Sequence, residues 1–135
     1  MQKENNIGLD TTVILRLLTG EPQNQFAKSK QFIATQLNTH KKLFVSDLVI
    51  AEAYFALQYH YEVPKKEALV QLSNIFSSGI IHPAPGSVCS KVLRDAPQHN
   101  AGFVDQVIYE QYCLFADQVV SFDKAMSELE KVFSL

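Results

Sequence analysis

Several signatures that would name a chemistry outright are missing from this chain. It has no GxSxG elbow, no P-loop and no GxGxxG turn, which removes the common serine-nucleophile and nucleotide-cradling readings. Its two cysteines, Cys89 and Cys113, stand 24 residues apart with no CxxC and no histidine at ligand spacing. They read as ordinary thiols in a reducing compartment, not as a metal site or redox pair. His40, His60, His82 and His99 form no pair at ligand or catalytic spacing and read as surface or loop residues. No apolar run approaches a membrane span, and the opening residues Met1 to Asn6 are too polar for a signal peptide, so a cytoplasmic protein with no membrane partner is expected. A net charge of −2 excludes a strongly basic DNA-coating role but leaves room for a local basic patch that grips phosphate. No internal repeat, low-complexity tract or linker interrupts the chain.

What remains is a chain of 135 residues, 47% hydrophobic, long enough for one cored domain over 1–135 and too short for two ordinary ones. Ile7-Gly8-Leu9, Leu43-Phe44-Val45, Ile80-Ile81-His82 and Gln118 to Ser121 read as short buried strands, with Phe133 to Leu135 as a fifth at an edge. Helical spacing runs from Thr11 to Thr19, Gln23 to Leu37, Ser46 to Tyr61, Pro64 to Ser77, Ser87 to Asp95, Phe103 to Cys113 and Lys124 to Lys131, with a loop over Pro97 to Gly102. Short apolar strands alternating with helices predict an α/β fold. Its parallel sheet would have about four to five strands and helices on both faces.

Four acids stand where strands end or helices begin: Asp10, Glu52, Asp105 and Asp123. Asp10 and Asp123 follow apolar strands directly, which places them at the carboxyl edge of a parallel sheet, where ligands bind. Asp105 falls in the opening turn of a helix, where the dipole favours negative charge. Glu52 shares a helical stripe with Leu48, Phe55 and Tyr59, a setting that predicts protonation, an ion pair or a polar cavity. Taken singly, Asp10 and Asp123 read as helix caps, Asp105 as a dipole-favoured charge and Glu52 as a partner for a lysine or arginine. Together they would repel one another unless a cation sits among them. A hard divalent ion, Mg²⁺ or Mn²⁺, suits such oxygen ligands, which points to metal-assisted phosphoryl chemistry.

Thr11, Thr12 and Ser121 stand beside the acids, where they can orient a ligating carboxylate or simply cap locally. Arg16, Arg94 and Lys124 are the candidates for gripping a phosphate backbone, against the reading of solvated surface charge. Asp47 reads only as a first-turn carboxylate. Phe26, Tyr54, Phe55 and Tyr59 suit either an interface or an ordinary core.

The segments Asp10 to Leu18, Ser46 to Glu52, Phe103-Val104-Asp105 and Ser121-Phe122-Asp123-Lys124 resemble, in that order, the four acidic segments of the PIN-domain ribonucleases, particularly the VapC-type toxins of toxin–antitoxin modules. Spacings of 42, 53 and 18 residues between successive acids extend the likeness over essentially the whole chain. The resemblance implies a sheet-centred α/β fold, Mg²⁺ or Mn²⁺ as cofactor and RNA endonuclease activity. It also implies dimerisation and inhibition by a partner antitoxin. Asp10 and Asp105 would be the principal ligands, with Glu52 and Asp123 completing the set. Two positions depart from the family pattern: Thr12, where asparagine is frequent, and Gln106, where alanine commonly follows the third aspartate. Two enzyme rivals fit less well. A receiver-type phosphoacceptor would carry an acidic pair after its first strand and a lysine–proline after its last, and a haloacid-dehalogenase-like phosphatase would carry aspartate at position 12. A PIN-like module that binds RNA or protein without catalysis is the remaining alternative.

Overall fold

The computed structural model describes residues 5–95 and 99–135. The first four residues of the polar opening segment and the first two of the Pro97 to Gly102 loop fall outside it. The chain forms two compact units, Met1–Pro85 and Gly86–Leu135.

In the first unit, β1 (Asn6–Gly8), β2 (Lys42–Val45) and β3 (Ile81–Pro83) make a parallel sheet in the order β1-β2-β3. Ile7 pairs with Leu43, and Leu43 with Ile81. Parallel neighbours need long crossovers, and helices supply them: α1 (Thr11–Thr19) and α2 (Gln23–Asn38) join β1 to β2, and α3 (Asp47–Tyr59) and α4 (Lys65–Ser77) join β2 to β3. Alternation along β2 buries Leu43 and Val45, while Phe44, on the opposite side, packs its ring against His82 at 5.7 Å. His82 thus lies in the strand expected over Ile80 to His82 and is half-buried there. The core gathers Ile14, Ile50, Ala53, Leu57, Ala68 and Leu72. Gly20 ends α1 in the left-handed region at φ 72°, its N–H bonded to the Arg16 carbonyl, a conformation that favours glycine. Ser46 caps α3 by accepting from the Val49 N–H at 3.3 Å. The α2 stripe is weaker than its spacing suggests: Phe26 and Ile33 are half-buried, Leu37 is exposed, and no residue of α2 is fully buried.

In the second unit, α5 (Cys89–Asp95) and α6 (Phe103–Cys113) precede β4 (Val119–Ser121), which pairs in parallel with β5 (Val132–Ser134). Among the described residues, five strands thus lie in a three-stranded and a two-stranded parallel sheet, accompanied by six α-helices. Ala101, Tyr109, Val119, Met126 and Leu129 form one apolar cluster, with Cys113 and Val132 packed on it. The helix expected over Lys124 to Lys131 is instead a single 3₁₀ turn, Met126–Glu128. Met126 and Leu129 are both buried, and the chain has turned into β5 by Val132, which leaves room for a single short turn. Neither cysteine is in a disulfide. Lys91 and Glu110 link α5 to α6 by an exposed ion pair of 2.9 Å, worth little to stability on its own.

Tyr54, Tyr109 and Lys91 hold their protons unusually tightly. Burial pushes the Tyr54 and Tyr109 phenols above the usual 10.0, and the hydrogen bond to Glu110 raises Lys91 above 10.5. A group whose folded pKa is raised contributes stability that is complete below its unfolded pKa and lost as pH climbs through the folded value. The melting temperature should therefore stay level to about pH 10 and fall above it. A level profile to about pH 11 would contradict that sign.

Candidate functional site

Asp10 occupies the N-cap position of α1 with extended backbone, yet its side chain makes no capping hydrogen bond. An aspartate there normally spends its carboxylate on the helix's free N–H groups. This one is exposed and leaves its oxygens for another use. One residue on, the Thr11 hydroxyl donates to Glu52 Oε1 at 3.3 Å. That contact brings the first turn of α1 and the second turn of α3 together, so Asp10 and Glu52 belong to one locality of the first unit. Thr12 is exposed, and Arg16 turns elsewhere: its guanidinium donates to Gln25 Oε1 at 2.6 Å and to the Tyr61 hydroxyl at 3.4 Å.

The setting of Glu52 differs from the expectation. Leu48, Phe55 and Tyr59 are 71%, 44% and 76% exposed, and Glu52 is exposed with them. The α3 face that enters the core is the adjacent one, Ile50, Ala53, Tyr54 and Leu57. Because α3 is apolar on both faces, spacing alone does not reveal which stripe is buried. Tyr54 accordingly belongs to the core, whereas Phe55 and Tyr59 stack with ring centroids 6.2 Å apart on the exposed side. Asp47, expected as an ordinary first-turn carboxylate, is only 7% exposed.

In the second unit, Asp105 is the third residue of α6 and half-buried, as its motif predicts. Asp123 is exposed, and its Oδ1 accepts the Met126 N–H at 2.9 Å. Its own N–H donates to Ser121 Oγ at 2.9 Å, so Ser121 braces the segment that carries the acid. One carboxylate oxygen caps the 3₁₀ turn and fixes the side chain, leaving the other outside that bond. Arg94 and Lys124 are exposed. Two further links were not legible in the motifs. Asn100 Nδ2 reaches both Glu128 oxygens at 3.2 and 3.0 Å, and Gln106 Nε2 donates to the Ala101 carbonyl at 2.7 Å. In the sequence Gln106 stands out as a departure from the family pattern and as a polar residue at helical spacing between Phe103 and Tyr109, and neither signal points to its bond with Ala101.

Two of the four acids, Asp10 and Glu52, lie in the first unit, and two, Asp105 and Asp123, lie in the second. Among the described residues, no three His, Cys, Asp or Glu side chains are grouped closely enough to hold a metal ion as they stand. The donor set itself, four carboxylates with hydroxyl neighbours and no sulfur or imidazole, suits a hard divalent cation. The groove of about 400 Å³ in the first unit is a separate feature, lined by Leu17, Ile33, Leu37 and Ile75 with Lys30 and none of the acids. No helix among the described residues is long and apolar enough to cross a membrane.

No curated protein matches the sequence closely enough to name a relative. The PIN domain family, however, matches residues 7–132, from the first strand through the start of the last. That match takes in all four acidic segments, and the chain belongs to the PIN domain family.

Proposed function

We propose that the chain is a metal-dependent endoribonuclease that hydrolyses RNA phosphodiester bonds, with Asp10, Glu52, Asp105 and Asp123 serving one divalent-metal site within a single working domain. PIN domains are generally nucleases, and they typically use divalent metal ions. The observation that carries the reading is Asp10, an N-cap aspartate that does not cap and so keeps its carboxylate for a ligand. A bound Mg²⁺ or Mn²⁺ would supply an activated water and neutralise charge on the scissile phosphate.

The chain's own residues do the holding. Asp10 and Asp105 act as principal ligands. Thr11 orients the Glu52 carboxylate through its hydroxyl, and the Met126 N–H fixes one oxygen of Asp123. Ser121 steadies the Asp123 backbone, and Thr12 flanks Asp10. Lys124 and Arg94 are the exposed cations assigned to the RNA backbone; Arg16 joins them only by exchanging its Gln25 and Tyr61 bonds for phosphate. Contacts of this kind release counterions, so raising salt from about 50 to 200 mM should slow subsaturating cleavage by roughly tenfold. Unchanged cleavage across that series would count against an electrostatic grip.

The motif order further supports a toxin of a toxin–antitoxin pair, acting in the cytoplasm as a homodimer under a cognate antitoxin. Exposed Leu48, Phe55 and Tyr59 on α3 supply apolar surface of the kind such partners cover. The activity is tested by incubating purified protein with a labelled RNA pool in Mn²⁺, Mg²⁺ or EDTA. Cleavage confined to the metal-containing samples is the expected result. Absence of both cleavage and metal binding would instead favour a PIN domain kept for binding alone.

A further inference from the structure

Gln106 stands beside Asp105 yet points the other way, into the core. It is 4% exposed, and with Asp47 it makes up the buried polar or charged residues among those described. Its amide donates backwards over five residues to the Ala101 carbonyl at 2.7 Å, while its backbone N–H donates to the Gly102 carbonyl at 3.0 Å. Residue 106 therefore holds both residues that lead into α6. The link matters because Gly102, at the N-cap, has no side chain to cap the helix. Ala101 is itself 4% exposed, so its carbonyl needs a partner within the protein. Gln106 supplies one.

The Asp105 carboxylate lies over this same junction: Oδ2 comes within 3.9 Å of where a Gly102 Cβ would stand. The Gln106 N–H bond to the Gly102 carbonyl joins this segment to the first turn of α6, which carries the acid. The segment is anchored at its other end by Asn100, whose amide spans the two oxygens of Glu128 in the 3₁₀ turn that Asp123 caps. The loop before α6 is thus fastened to the Asp105 helix by Gln106 and to the Asp123 turn by Asn100.

We propose that Gln106 is a positioning residue for Asp105, setting through the Ala101 carbonyl where the start of α6 presents its carboxylate to the metal. This rests on the metal-site reading above. Losing a group that hydrogen-bonds a ligand weakens metal affinity by about 10–100-fold, and Gln106, one bond further out, falls at the lower end of that range. Gln106→Met keeps the volume and deletes the donor; Gln106→Asn keeps the amide but leaves it one methylene short.

The test is calorimetric titration of Mn²⁺ into wild type, Gln106→Met, Gln106→Asn and Asp105→Asn. It is accompanied by thermal melts and by cleavage rates across a Mn²⁺ series. The expected result is Mn²⁺ binding weakened about tenfold in the Gln106 variants, with cleavage recovering as Mn²⁺ is raised. Should Gln106→Met melt below the assay temperature, Gln106→Asn carries the comparison. Wild-type Mn²⁺ affinity in a folded Gln106 variant overturns the proposal, provided Asp105→Asn has lost binding. If Asp105→Asn also binds Mn²⁺ as wild type does, the metal-site reading itself fails. Weak cleavage that added Mn²⁺ does not restore, at unchanged affinity, would leave Gln106 an ordinary packing residue and likewise overturn the proposal.

Discussion

Asp105→Asn should abolish metal-dependent RNA cleavage while leaving the protein folded. The substitution keeps the shape of the side chain and removes its charge from a half-buried position in the first turn of α6. The structural cost is small, because a favourable charge at a helix N-terminus contributes only about 0.3–1 kcal/mol. The catalytic cost is large. A divalent ion contributes several kcal/mol of transition-state stabilisation, and each ~1.4 kcal/mol is a factor of ten, so the rate should fall at least about a hundredfold. Rates at matched Mn²⁺ and melting curves of both proteins separate the two costs. A folded variant that cleaves within threefold or so of wild type would remove Asp105 from the chemistry.

Phe103→Ala should have the largest effect on stability. Phe103 opens α6, is 1% exposed and is the bulkiest of the fully buried side chains. Truncating a buried phenylalanine costs about 3–5 kcal/mol, from lost transfer energy and the cavity left behind. That is a large share of the roughly 5–15 kcal/mol that holds an ordinary domain together. The melting temperature should fall by about 10 °C or more. Phe122, 79% exposed, is the matched control, and Phe122→Ala should change stability by no more than about 0.5 kcal/mol. Equal melting temperatures for the two variants would show that the α6 start is not part of the core.

What the sequence made legible follows from how local each determinant is. Thr11–Thr19 could be read as a helix end to end, because Gly20-Glu21-Pro22 stops it within the same stretch of chain. Asp105 could be placed in a first turn from Gly102-Phe103-Val104 alone. The tail from Lys124 to Lys131 could not, since β5 pairs with β4 from Val132 onward and leaves room for a single 3₁₀ turn before it. Glu52 shows the limit for a candidate site residue: the neighbouring stripe of α3 entered the core, and helical spacing fits both stripes equally. The division of five strands into sheets of three and two is likewise a matter of hydrogen-bond partners that periodicity does not specify. Gln106 could be read as a departure from the family pattern, but its bond to a carbonyl five residues earlier could not.

The central claim is that acids from both ends of the chain serve one ion. Mn²⁺ affinity of wild type, Asp10→Asn, Asp123→Asn and the double variant tests it most directly. If one ion binds both side chains, each single change weakens binding sharply and the double change costs less than the sum, a coupling of about 0.5–3 kcal/mol. Additive losses, or a wild-type protein that takes up no Mn²⁺, would mean that Asp10 and Asp123 do not share a metal.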